Sequence, residues 1–427
     1  MSMTSWRNCK LGDLIAIKHG YPFLGEHFAA EGTHIVVTPG NFYDEGGFKH
    51  KGEKEKWYRG PIPPDYVLDL GDVIVAMTEQ AEGLLGSSAV VPIGARYLHN
   101  QRIGLVQLRD PKQVDNRFIY YLFNSKSVRQ QIRGSSSGTK IRHTSPSRIA
   151  DVQVSIPHVS TQRRIAVILS AYDALIENSQ RRIKILEAMA RALYREWFVH
   201  FRFPGYESVP CVPSPLGDIP QGWEVASLGE HLAALESGKR PKGGIRDVDD
   251  GVPSIGAENI NGIGKHDFAG EKYVPRDFFQ EMRKGIVRDR DVAIYKDGAY
   301  IGKSSYFRDG FPHAECCVNE HVFLLRSSGV RLRQNVLYLW LQEPDTVQTI
   351  RSKNANAAQP GINQQTVNGL VLAIPDSKTA ANFDRLVEPL FAEIINLAKR
   401  IQNLRRTRDL LLPRLLSGQI DVEAMPS

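Results

Sequence analysis

The chain contains only four cysteines in 427 residues, Cys9, Cys211, Cys316 and Cys317. So few and so scattered, they exclude a disulfide framework and a multi-cysteine zinc site. No stretch of about 18 uninterrupted apolar residues occurs, and Met1 to Leu14 has no apolar core of signal-peptide length. A cytoplasmic protein is therefore expected. Catalytic signatures are also missing. A base-modifying methyltransferase needs an Asn-Pro-Pro or Asp-Pro-Pro motif, and Ile62-Pro-Pro-Asp-Tyr66 is a lookalike without the amide. There is no Walker-type Gly-x-x-x-x-Gly-Lys-Ser/Thr motif, and the glycine pair in Asn261-Gly-Ile-Gly264 stands too alone to imply a nucleotide site. No Glu-x-Lys tripeptide of a metal-dependent nuclease is present, and the histidines have no Ser or Cys partner at a legible spacing. Cys316-Cys317 beside His313, Glu315 and His321 hints at a metal, but adjacent cysteines rarely ligate one ion together, and a sheet interior explains them better. The expectation is a chain with no catalytic site, no metal and no cofactor of its own.

What the sequence does have is a basic excess and a duplication. Formal net charge is +7 with a pI near 9.1, which favours polyanionic partners. The two halves echo one another at a shift of 217 to 219 residues. Trp6-Arg-Asn-Cys-Lys-Leu-Gly-Asp13 corresponds to Trp223-Glu-Val-Ala-Ser-Leu-Gly-Glu230, Asp72-Val-Ile-Val-Ala76 to Asp291-Val-Ala-Ile-Tyr295, and Asn100-Gln-Arg-Ile-Gly-Leu105 to Asn319-Glu-His-Val-Phe-Leu324. Each unit begins with a globular segment rich in short β-type runs such as Val322-Phe-Leu-Leu325, with one candidate helix over Asn116 to Arg133 and its counterpart over Gln334 to Arg351.

Each globular segment ends at an Ile-Pro, Ile156-Pro157 or Ile374-Pro375, and runs into a long helical pattern. These patterns, Thr161 to Val199 and Ala380 to Leu416, would each reach roughly 55 to 60 Å. In the second, Phe383, Val387, Leu390, Ile394, Leu397, Ile401, Leu404, Leu411 and Leu415 alternate three and four apart, with Arg408 in the one missing place, which is a coiled-coil seam. The first follows the same rhythm through Ile165, Ile168, Tyr172, Leu175, Ile183, Leu186, Ala190, Leu193 and Trp197, with a stutter near Ser179. Pro389 should bend the second helix without ending it. The predicted fold is α+β: two similar globular domains of mixed sheet and short helices, separated by two long antiparallel coiled-coil helices in a pseudo-two-fold dumbbell. The boundaries expected are 1–158 and 223–377 for the globular domains, 159–200 and 378–418 for the helices, 201–222 for a Pro- and Gly-rich linker without regular structure, and 419–427 for a tail.

Five stretches of the chain resemble the specificity subunits of type I restriction-modification enzymes. Ile156-Pro-His-Val-Ser-Thr-Gln-Arg-Arg-Ile-Ala166 is similar to the family's entry into its first central helix, with His158 in place of a proline. Leu216-Gly-Asp-Ile-Pro-Gln-Gly-Trp223 resembles the end of its linker, and Arg408-Asp-Leu-Leu-Leu-Pro-Arg-Leu-Leu-Ser-Gly418 the end of its second helix. Gly71-Asp-Val-Ile-Val-Ala-Met-Thr78 and Asp291-Val-Ala-Ile-Tyr-Lys-Asp-Gly298 resemble the strand and turn of its target-recognition domains. The resemblance covers nearly the whole chain. It implies a non-catalytic subunit that reads a bipartite double-stranded DNA target, one half per domain. It also implies two adenine-N6 modification subunits as partners and, in the full complex, two restriction subunits, which would use S-adenosylmethionine, ATP and Mg2+.

Base reading needs paired donors and acceptors on a scaffold that also grips phosphate. Three places suit. The loop from Arg133 through Lys140 and Arg142 to His143 has a repeat partner carrying Lys353, Asn354, Asn356, Gln359 and Asn363. The turn with Thr78 and Gln80 is matched by Lys296 and Lys303. The third is the basic arm Lys239, Arg240 and Lys242. Solvated loops, a plain hairpin and a solvated charge run are the competing readings. The two helices each carry seven Lys or Arg against four Asp or Glu, nearly all of the net charge, and Trp197, Phe198, Leu411 and Leu415 are expected to face partner subunits rather than fill a core. The rival function is a coiled-coil scaffold that organises partners without reading sequence.

Overall fold

The computed structural model describes residues 6–79, 83–242, 244, 248, 251–353 and 361–424. Contacts divide the chain into two compact units, Met1–Ala174 with Leu404–Ser427, and Leu175–Asn403. The division falls inside both long helices, where the sequence reading set those helices apart as segments of their own. Each unit thus holds a globular part, a stretch of the helix that follows it and a stretch of the other helix.

In the first unit a four-stranded antiparallel sheet runs in the order Ile15–His19, Ile103–Leu108, Val73–Ala76, Ser88–Val90. Val73–Ala76 is buried along its whole length, as an unbroken apolar run requires. In a second sheet Tyr97–Leu98 lies parallel to His34–Val36. The second unit repeats the plan with Leu232–Ser237, Val322–Ser327, Val292–Tyr295 and Ser304–Tyr306, while Cys317–Val318 lies parallel to Val252–Ile255. Even a turn is copied. Asn100 Oδ1 accepts from the Arg102 amide at 3.0 Å and Asn319 Oδ1 from the His321 amide at 2.9 Å.

The expected single helix after the sheet is two helices in both units, and the local chemistry shows why. Helix Asn116–Phe123 is capped by Asp115 and gives way to Lys126–Gly134, whose N-cap Ser125 accepts from the Val128 amide. In the second unit Gln334–Trp340 gives way to Pro344–Ser352, because Pro344 has no amide hydrogen to continue a helix yet suits the first turn of a new one.

The first long helix spans Val159–Tyr194 and closes in a π-turn over Arg195–Val199; the second spans Ser377–Leu416 without interruption at Pro389. They pair antiparallel inside each unit. In the first, Thr161 bonds Glu423 at 2.7 Å and Asp173 bonds Arg408 at 2.7 Å. In the second, Arg182 meets Glu393 at 2.6 Å and Trp197 meets Phe383 with ring centroids 5.5 Å apart. The seam is Ile165, Leu169, Ile183, Ala190, Phe383, Val387, Ile394 and Leu397, all buried. Two seam assignments are corrected: Ile168 is half-buried and Leu169 lies inside in its place, and Leu175 is 42% exposed while Ile176 is buried. The 201–222 linker is also more ordered than expected, with Cys211–Val212 paired to Ile219–Pro220. No helix among the described residues is long and apolar enough to cross a membrane.

Candidate nucleic-acid interface

The fold brings together two segments that lie far apart in the first unit's sequence. The strand Thr78–Glu79 continues the buried Val73–Ala76 strand and pairs antiparallel with Arg142–His143. Thr78 Oγ1 lies 3.2 Å from His143 Nδ1. Glu79 is buried and accepts from the amides of Gly83 (3.1 Å) and Leu85 (2.9 Å), so its carboxylate holds the following turn from inside. Arg133 Nη1 stands 4.0 Å from the same carboxylate. The 135–141 loop turns through Gly138 at φ +97°, where a Cβ would strike the Ile141 carbonyl. Lys140 and His143 are exposed and Arg142 half-buried at this edge. Arg148, not singled out from the sequence, braces the loop with a 2.9 Å bond to Ser137 Oγ.

The second unit makes the corresponding junction. Asp297 forms a bridge with Gly361, and the Ile362 amide donates to the Lys296 carbonyl at 2.9 Å. The basic arm arrives at the same place through an alternating row of charge. Arg240 Nη2 is 2.9 Å from Glu320 Oε1, His321 Nε2 is 3.3 Å from that oxygen, and His321 Nδ1 is 2.9 Å from Asp297 Oδ2, itself 3.7 Å from Lys296 Nζ. The Lys296 ammonium also lies over the Phe323 ring and that of Lys303 over Tyr300. Lys303, Arg351, Asn261 and Gln342 line one cleft of about 220 Å³. Lys239, Lys242 and Lys353 are exposed. A polyanion approaching this edge would meet Arg240 and Lys296 already paired to carboxylates, so binding there includes exchange of one anion for another.

Several expectations change here. Gln80, Asn354, Asn356 and Gln359 lie outside the described residues. Asn363 caps the helix Gln364–Asn368, its Oδ1 accepting from the Thr366 amide at 2.8 Å, so that oxygen is engaged in structure. Thr78 is buried and reaches the edge only through His143. Trp197 and Phe198 do not face outward for a partner. They are 5% and 9% exposed, packed on Phe383 and Trp223, because aromatic rings at helix spacing are recruited first by the chain's own core. Leu415 is likewise buried and Leu411 half-buried against the first unit's core. Burial pushes the thiols of Cys316 and Cys317 up to about 12 and about 11, as the sheet-interior reading anticipates.

Residues 3–188 match the family model of the type I restriction modification DNA specificity domain. The chain is 27% identical over 321 residues to the specificity subunit of type I restriction enzyme MjaIX from Methanocaldococcus jannaschii, covering 73% of this chain and 71% of that one. It is 21% identical over 363 residues to the StySPI specificity subunit of Salmonella potsdam, covering 82% and 75%. In fold it is similar to the crystal structure of a type I restriction-modification S subunit from M. genitalium, with a TM-score of 0.58, 17% identity and 97% of both chains covered. The duplicated sheets, the paired long helices and these likenesses agree: residues 3–188 match the type I restriction modification DNA specificity domain, and most of the chain is similar to type I restriction enzyme specificity subunits.

Proposed function

We propose that this chain is a non-catalytic DNA sequence-specificity subunit, in which each unit reads one half of a bipartite target and the long helices fix the distance between the halves. One observation carries the reading: in both units the strand-turn is paired with a described end of the small-residue loop, Thr78–Glu79 with Arg142–His143 and Asp297 with Gly361, and basic side chains flank each pairing. Arg133, Lys140, Arg142 and His143 are proposed for one half-site. Lys239, Arg240, Lys242, Lys296, Lys303 and Lys353 are proposed for the other; Gln80 for the first half and Asn354, Asn356 and Gln359 for the second, all outside the described residues, are proposed from the sequence alone. Arg and Lys side chains at such an edge can bond guanine edges or phosphates. Modification subunits using S-adenosylmethionine, and restriction subunits using ATP and Mg2+, would supply the chemistry. Helices of this length would set the half-sites about one DNA turn apart, roughly 34 to 36 Å.

The test is to co-purify the chain with its cognate modification subunit and footprint DNA. Two protected patches flanking an unread gap are expected, with a matching bipartite N6-methyladenine motif that vanishes from the methylome when the gene is deleted. A featureless smear abolished by modest salt supports the scaffold reading instead. Removing one turn from both long helices together should shorten the preferred gap, and an unchanged gap refutes the spacing role.

A further inference from the structure

Away from this edge, the second unit draws two histidines and a glutamate from three separate stretches of chain into one point. His266 lies in the long connection between strands Val252–Ile255 and Tyr273–Val274, Glu271 just before the second of these strands, and His313 in the turn leading to Cys317–Val318. Nε2 of His266 and Nε2 of His313 both contact Glu271 Oε1, the latter at 2.5 Å, and the three ligand-type atoms all lie within 4.8 Å of one another. The side chains of His266 and Glu271 are 1% and 7% exposed, while that of His313 is 23% exposed. The imidazole planes stand at 90° with centroids 5.5 Å apart, and Phe268 packs edge-on against both rings. Tyr273 Oη donates to the other carboxylate oxygen at 2.9 Å and fixes its orientation.

We propose that His266, Glu271 and His313 form a zinc-binding site of the second unit. Two imidazole nitrogens and one carboxylate oxygen are the donor set of a tetrahedral Zn2+ site whose fourth place is left to water. Zn–N and Zn–O bonds of about 2.0 to 2.2 Å put ligand atoms about 3.3 Å apart, so small side-chain rotations would open the cluster around an ion. The tyrosine bond to the free carboxylate oxygen and the aromatic wall are the orienting and desolvating surroundings that such a site uses. The more exposed His313 side provides the entry path. Between Ile255 and Tyr273 regular structure amounts to the single short turn Ala257–Asn259. An ion would tie this connection, otherwise anchored by the buried Ile260 and Ile263, to the His313 turn.

The counterpart connection of the first unit, between His34–Val36 and Trp57–Tyr58, closes differently. There Glu55 accepts from the Asn41 amide side chain at 3.0 Å and from the Lys51 backbone at 2.7 Å. An acid met by amide donors needs no ion, and one met by two imidazoles can hold one. The full chain, grown with zinc and dialysed, should carry about one zinc by elemental analysis, and its unfolding temperature should fall on chelation and recover with Zn2+ alone. Co2+ loaded into the stripped chain should show the visible absorption of a tetrahedral site. His313→Gln, which keeps a donor for Glu271, should bind zinc at least tenfold more weakly and lose the zinc-dependent rise in unfolding temperature. Absence of metal together with an unfolding temperature indifferent to micromolar Zn2+ would overturn the proposal. So would equal zinc affinity in His313→Gln, which places the ion elsewhere.

Discussion

Where the first unit buries His99, the second buries Val318, one residue before the asparagine that makes the same turn in each. Where the second long helix ends under Trp6 it uses Gly418 at φ +73°, whereas the first ends with Phe201 at φ +56°, packed edge-on against Trp223. One plan is thus built from two chemistries. Topology is held in common by apolar strands and close backbone approaches, while the side chains that close each loop and each helix have diverged. Duplicated units that serve the same architecture need the first kind of agreement. To read different half-sites they need the second kind of freedom.

The shared framework should be the most fragile part. At Gly20 a Cβ would collide with the Asn100 carbonyl, and at Gly238 with that of Val318, backbone that cannot swing aside. Gly20→Ala and Gly238→Ala should each cost about 3 kcal/mol or more, read as a shifted denaturation midpoint. Tolerance at one position and not at the other would break the structural equivalence of the two units.

A smaller effect, confined to the first unit, is expected from His99. Burial pushes its imidazole down to about 4, against about 6.5 in an unfolded chain. Between those values the unfolded state takes up a proton that the folded state refuses, so this contribution is fully present above about pH 6.5 and is lost as pH falls toward 4. The loss approaches about 3 kcal/mol. His99→Val, which installs the second unit's residue type, should flatten the pH dependence of stability.

The helix pair offers the same contrast. In the first unit Arg408 occupies the missing seam place and meets Asp173 with side-chain exposures of 14% and 29%, while Tyr121 donates to the same carboxylate at 2.6 Å. Arg408→Leu should complete the apolar stripe yet destabilise by about 2 kcal/mol, because Asp173 is left without its cation; adding Asp173→Leu should restore most of the loss. In the second unit Arg182 and Glu393 are 50% and 38% exposed, and Arg182→Ala should change stability by less than about 1 kcal/mol. On DNA, Arg142→Ala should weaken readout of one half-site and Lys296→Ala that of the other, by about 1 to 3 kcal/mol where a base contact is lost. Equal loss on both halves would indicate phosphate contacts or a shared surface.

Much of this was legible in the sequence. The shift between the halves, the heptad stripes and the Ile-Pro exits gave the repeat, the long helices and their antiparallel pairing, because periodicity and duplication survive in one dimension. The helix breaks at Ser125 and Pro344 were present as a capping serine and a helix-starting proline, but the apolar pattern continues across them and hides the break. Trp197 and Phe198 were misjudged because a helix stripe does not say whose core it fills. The meeting of Thr78 with His143, and of Asp297 with Gly361, was invisible, since the partners are about 65 residues apart.

By itself the sequence determined the architecture: a duplicated chain, two apolar stripes of heptad spacing and strands too hydrophobic to be anywhere but inside. Only the tertiary structure decided which polar side chains stand together, from the Arg240 to Lys296 row to the cluster of His266, Glu271 and His313. Burial is an average that a local pattern can encode, but an ion pair or a ligand set depends on distances of 3 Å between residues that the chain brings together only after its backbone has closed.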